Sequence, residues 1–166
     1  MATADPAISG AELSARELRA WRGLLRAHAA LAKALDADLE QHHALPLSSY
    51  EVLMVLSKQD AQKMRMCDLA DTVLLSRSGL TRLVDRLARE GLLERVACQD
   101  DARGAYARLT PAGQRRVTEA QATHRAGVRA LFLRHFDDDE LDLLGDLWDR
   151  VLPGAVSSCG CGPAKT

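Results

Sequence analysis

A chain of 166 residues, 47% hydrophobic but only 4% aromatic, has enough apolar material for one domain with a real core. Leu and Ala dominate that material, which favours packed helices over sheets, since strands prefer β-branched and aromatic residues. A net charge of −1 excludes a protein that coats nucleic acid in bulk; no run approaches a membrane span and the first twenty residues lack a signal-peptide core, so the expected location is the cytoplasm.

In chain order, residues 1–13 are small and polar, with Pro6 and Gly10, and read as a flexible arm. A long helix follows from about Ser14 to His43, on which Leu18, Trp21, Leu25, His28, Leu31 (or Ala32), Leu35 and Leu39 recur at spacings of three and four. Leu45-Pro46-Leu47 ends it. Ser48-Ser49-Tyr50-Glu51 has the Ser-x-x-Glu form of a capping box, opening a second helix expected to bury Val52, Leu53, Val55 and Leu56. Ser57 to Lys63 reads as a polar connection.

Met66 to Val73 is a short helix with Leu69, Ala70 and Val73 on one side. After a break at Leu74 and Leu75, Ser76 to Glu90 carries Leu80, Leu83, Val84 and Leu87 at spacings of three, one and three, all on one face. Ser76 suits the N-cap and Gly91 the C-terminal cap. The other face holds Arg77, Ser78, Thr81, Arg82, Asp85, Arg86 and Arg89. A solvated surface helix carries such arginines too. Two helices joined by a tight break, however, form a helix-turn-helix, whose second helix enters the major groove, and the exposed Arg, Ser and Thr suit base edges and phosphates. Two strand patterns follow, Leu92 to Val96 and Ala105 to Leu109, around a polar loop from Cys98 to Gly104; the pair reads as a wing. From Ser76 to Arg108 seven arginines face five acids, so this segment is +2 and the remainder −3. A local basic surface on a near-neutral chain fits selective DNA binding.

Thr110-Pro111 opens a further helix, running to about His135 through Val117, Gln121, His124, Val128 and Leu131. Asp137-Asp138-Asp139-Glu140 opens the last, with Leu141, Leu144, Trp148 and Val151 as its expected buried stripe, and Pro153-Gly154 stops it. The organisation expected is therefore a helix over 14–46, a DNA-binding lobe over 47–110, helices over 111–152, and a mobile tail over 153–166. The outer helices carry more apolar surface than a small winged helix can cover, so they are expected to pair with a second subunit.

The motifs together resemble the multiple-antibiotic-resistance regulator (MarR) family of winged-helix repressors. The matching residues are Leu69-Ala70, Leu75 through Leu87, Glu90 through Arg95, Asp101-Ala102-Arg103, and Leu109-Thr110-Pro111-Ala112-Gly113, and the resemblance spans roughly residues 14 to 152. Gln99 departs from it, standing where the family often has proline. The fold implied is mainly α with a small β-wing, a winged helix-turn-helix flanked by long dimerisation helices. The function implied is a homodimer on a pseudo-palindromic operator, released by a small-molecule or oxidative signal. Ser76, Arg77, Ser78, Thr81 and Arg82 are then expected at the major groove and Arg86 on phosphate. Arg103, held by Asp101, is expected at the minor groove.

The resemblance also implies an effector site between the dimerisation helices and the DNA-binding lobe, where Trp21, His28, Tyr50 and Met54 are candidates and a small aromatic acid the expected ligand. Trp21 and Met54 read equally well as ordinary core, and His28 as bonded to a backbone carbonyl. The four cysteines, Cys67, Cys98, Cys159 and Cys161, show no disulfide framework and read as free thiols. Cys159-Gly160-Cys161 offers two thiolates to a soft ion such as Cu(I) or Zn, two short of a closed tetrahedral site; His42, His43 or Cys67 would have to help. A metal- or thiol-responsive regulator of the same fold is therefore the alternative. The family's peroxide-sensing branch carries its cysteine in the first helix, and this chain has none there. No cofactor is expected. No cysteine sits in a nucleophile motif and no glycines form a phosphate loop, so an enzyme is not expected.

Overall fold

In the computed structural model, residues 12–73, 75–97 and 105–153 are described. Helix α1 spans Ala15–His43, 29 residues. Ser14 caps it: its hydroxyl accepts the Glu17 N–H at 3.3 Å while the Glu17 carboxylate accepts the Ser14 N–H at 2.7 Å. The Ser14 hydroxyl, which donates to the same carboxylate at 2.7 Å, and the Ser14 N–H hold the Glu17 carboxyl below its usual pKa. Ala44, left-handed at φ 46°, turns the chain out of the helix.

Helix α2 spans Leu47–Ser57, and the capping box expected at Ser48 to Glu51 does not form. The helix starts two residues earlier, after Pro46, and its first N–H, that of Leu47, donates instead to the Asp36 carboxylate of α1 at 2.7 Å. A long-range acid supplies the cap that the local serine would have given. The stretch read as a polar connection holds a 3₁₀ turn, Asp60–Gln62, and then a short strand β1, Lys63–Arg65.

Helices α3 (Met66–Thr72) and α4 (Arg77–Arg89) lie where the periodicity puts them. Strands β2 (Leu93–Ala97) and β3 (Ala105–Leu109) follow. With β1 they form one antiparallel sheet in the order β1-β3-β2, three strands where two were expected. Helix α5 (Pro111–Leu131) stops short of His135, and the remainder is a 3₁₀ turn at Leu133–His135. Helix α6 (Asp138–Val151) has a second capping box, Asp137 with Glu140.

One hydrophobic core joins these elements: Val52, Leu53 and Leu56 of α2, Leu69 and Ala70 of α3, and Leu80, Val84 and Leu87 of α4. Leu93, Ala107 and Leu109 close it from the sheet, and Leu39 of α1 with Val117 and Ala120 of α5 from the outer helices. Thr110 and Gly113 bring the start of α5 onto the α4–β2 turn. The Thr110 hydroxyl donates to the Gly91 carbonyl at 2.7 Å and accepts the Gly113 N–H at 3.0 Å. A Cβ at Gly113 would collide with the Leu92 carbonyl.

The stripe expected to be buried on α6 is not buried within one chain, where Trp148 is 37% and Val151 66% exposed. The same holds for the first half of α1, on which Trp21 is 53% and Leu25 49% exposed. These side chains have the right periodicity, but no element among the described residues lies over them.

Candidate nucleic-acid interface

The site is built on α4. Its inner face is fixed by Leu80, Val84 and Leu87, all at most 1% exposed, so the outer face sits on a packed base. Ser76 caps the helix by accepting the Gly79 N–H at 3.1 Å, as the sequence suggests. Arg77, Ser78 and Arg82 are exposed; Thr81 is half-buried, its hydroxyl donating to the Arg77 carbonyl at 2.9 Å. Arg77, Ser78, Thr81 and Arg82 together line an open hollow of about 570 Å³ at the start of the helix. Two guanidinium groups and the Ser78 hydroxyl around one hollow can donate to phosphate oxygens and base-edge acceptors alike, while the Thr81 hydroxyl, its proton on the Arg77 carbonyl, can accept.

Arg86 is placed differently from the expectation. Its Nη2 donates to the Ser49 hydroxyl of α2 at 2.6 Å, and its Nε lies 4.0 Å from Glu90. Ser49 is the one fully buried polar side chain among the described residues. Arg86 therefore braces α4 against α2, one turn further along than the hollow. Ser49 gave no such signal in the sequence, where it belonged to the expected cap. Two more cations near the site are neutralised: Arg95 donates to Asp85 of α4 at 2.7 Å, and Arg108 to Glu94 at 2.6 Å. Asp101 and Arg103, the expected wing-tip pair, lie outside the described residues, as do Gln99 and Cys98.

The four effector candidates do not converge. Tyr50 is buried at 4% exposure and its ring stacks on His124 of α5 with centroids 4.5 Å apart. Met54 is half-buried beside it, its sulfur 3.9 Å from the Gln121 amide. Both serve the α2–α5 contact. Trp21 and His28 are exposed on α1. Burial pushes the Glu51 carboxyl up, and the charge of His28 partly offsets that. Burial pushes His124 below its ordinary value of 6.5. His42 sits over the Asp38 carbonyl at 2.9 Å, His43 bonds Thr123 of α5 at 2.8 Å, and Cys67 is exposed with its thiol on Asp68 at 3.3 Å. Among the described residues no group of three or more His, Cys, Asp or Glu could hold a metal ion. Cys159 and Cys161 lie outside them.

Residues 45–104 match the model of the MarR family. AbsC, a MarR family transcriptional regulator of Streptomyces coelicolor, superposes with a TM-score of 0.78 at 31% identity, over 89% of this chain and 97% of that one. This chain belongs to the MarR family of transcriptional regulators. Sco3205, a second family member from Streptomyces coelicolor, solved in complex with DNA, superposes at 0.83 with 28% identity over 89% of this chain and 92% of its own. The HTH-type transcriptional repressor YetL of Bacillus subtilis (strain 168) is 26% identical over 128 residues, 73% of this chain and 76% of YetL. The family match begins at the buried Leu45 and runs through α4 and into the wing, covering the elements that build the hollow.

Proposed function

We propose that this MarR family regulator is a homodimeric repressor that reads an operator through the start of α4. The observation that carries this is the hollow formed by Arg77, Ser78, Thr81 and Arg82 on a helix whose opposite face is locked into the core. Ser76 fixes the entry of that helix. Rigid placement matters because bidentate contacts to base edges need donors held in one geometry. Sco3205 in its DNA complex and the repressor YetL support the same assignment by likeness. Arg103, held by Asp101, is assigned to the minor groove on the family resemblance alone.

Among the described residues ten large apolar side chains are exposed, and all fall between Leu13 and Leu25 or between Leu131 and Leu152. Patches this large on both ends of one chain favour a self-complementary two-fold interface made by α1, α5 and α6. Such a dimer sets two α4 helices about 34–36 Å apart, matching successive major grooves. On a promoter the dimer occludes transcription. A small aromatic acid bound between the dimerisation helices and the DNA-binding lobe favours a spacing that no longer fits the two grooves.

The test is selection of duplexes from a random pool by the full-length protein, then fluorescence anisotropy on the selected and on scrambled duplexes. The expected result is tighter binding of the selected duplex by a factor of about 10³ or more at physiological salt. Equal affinity for both would overturn the reading. Thermal unfolding with benzoate-like acids tests the effector, since a ligand at about 100 times its Kd adds roughly 2.7 kcal/mol to the native state.

A further inference from the structure

The outer face of the wing sheet is a second cationic surface that the hollow on α4 does not use. In the register of the sheet, Lys63, Arg108 and Glu94 stand on one side in one row, and Arg65, Tyr106 and Val96 in the next. Arg108 is already tied to Glu94. The Lys63 ammonium and the Arg65 guanidinium both approach the Tyr106 ring, at 5.4 and 5.6 Å from its centroid. Arg65 Nε also donates to the Tyr106 hydroxyl at 3.2 Å. The Lys63 ammonium has no ion pair with an acid among the described residues. A half-buried ring thus gathers two positive charges, and the hydroxyl keeps its own proton to donate.

We infer that Lys63, Arg65 and Tyr106 form a phosphate clamp for duplex DNA flanking the segment read by α4. The inference rests on the DNA-binding reading above. Arg65 is the N-cap of α3, the first helix of the helix-turn-helix, and Tyr106 is the second residue of β3 after the wing loop. The patch therefore joins the two parts of the fold that approach DNA. Lys, Arg and Tyr are among the side chains that contact phosphate, and cations already seated on a ring lose less freedom on binding.

The test uses the full-length protein, Lys63→Ala, Lys63→Arg and Tyr106→Phe. Two duplexes share the selected centre, one of them longer by about one helical turn at each end. Each phosphate contact adds about 0.9 to the slope of log affinity against log salt. On the long duplex, Lys63→Ala should therefore lose three- to four-fold less affinity than the parent between about 50 and 200 mM salt, per contact. Lys63→Arg should keep the parent slope. Tyr106→Phe keeps the ring and should weaken the long duplex about two- to ten-fold per subunit. All variants should match the parent on the short duplex. If Lys63→Ala and Tyr106→Phe kept parent affinity and slope on the long duplex while Arg82→Ala weakened binding, the clamp would be overturned and the reading of α4 would stand. If the parent selected no duplex at all, the reading of α4 would fall, and the clamp with it.

Discussion

At the scale of single residues, two arginines one turn apart on α4 are placed differently. Arg82 is exposed beside the hollow, whereas Arg86 reaches back to a buried hydroxyl. Arg82→Ala should weaken operator binding and narrow the gap to unrelated DNA by about 1–3 kcal/mol, with the melting temperature unchanged. Arg86→Ala should instead lower the stability of the fold by about 1–3 kcal/mol, because it strands the Ser49 hydroxyl without its donor. Urea unfolding beside anisotropy separates the two; equal effects on stability would sink the distinction. His124 supplies a pH dependence. Its folded pKa is depressed by burial, so the native state favours the neutral ring that stacks on Tyr50. Below about 6.5 the unfolded chain takes up a proton that the folded chain resists, so stability is present above that pH and is lost as pH falls through the lower folded value. His124→Phe keeps a ring against Tyr50 and should flatten the fall between pH 7 and pH 5 at fixed protein concentration. A fall as steep as the parent's would show that other groups cause it.

At the scale of elements, α5 is set against the α4–β2 turn by Gly113, whose missing side chain leaves room for the Leu92 carbonyl. Gly113→Ala should cost about 1–3 kcal/mol by overpacking, measured by denaturant midpoint, although alanine is the better helix former. An unchanged midpoint would mean that the turn yields. How far such features are legible beforehand depends on whether their causes are local. Helix α4 was readable because its stripe, its cap and its closing glycine all lie within sixteen residues, Ser76 to Gly91. The start of α2 was misread because the competing cap is Asp36, eleven positions away, and Pro46 already presets the entry. Strand β1 escaped notice because Lys-Met-Arg has no β-branched alternation; it is a strand only because β3 pairs with it. The exposed face carrying Arg77, Ser78, Thr81 and Arg82 was legible from helical spacing and the Ser76 cap from its residue type, while its assignment to DNA came from the family resemblance. Ser49, Lys63 and Tyr106 were not legible, since their roles come from the packing of α2 on α4 and from sheet register.

At the scale of the whole molecule, the stripes on α1 and α6 were visible in the sequence but what covers them was not, since no element among the described residues covers them. Sedimentation at about 10 µM is expected to give a species at twice the 18.1 kDa of one chain. Trp148→Glu, placed on the exposed stripe, should shift that species toward 18.1 kDa and weaken operator binding with it. A parent protein that sediments only at 18.1 kDa would refute the two-fold assembly.

The length of α1 makes it a lever. It enters the core of the DNA-binding lobe at Leu39, so its 29 residues and that lobe turn together. At 1.5 Å per residue the arm is ~43 Å long, and a tilt of about ten degrees about its first residue carries its lobe end by roughly 7 Å. The major groove is only ~12 Å wide. In the dimer proposed above, a tilt of about ten degrees near Trp21, roughly 33 Å from His43, would displace the lobe end of α1 by roughly 6 Å, about half the width of the groove.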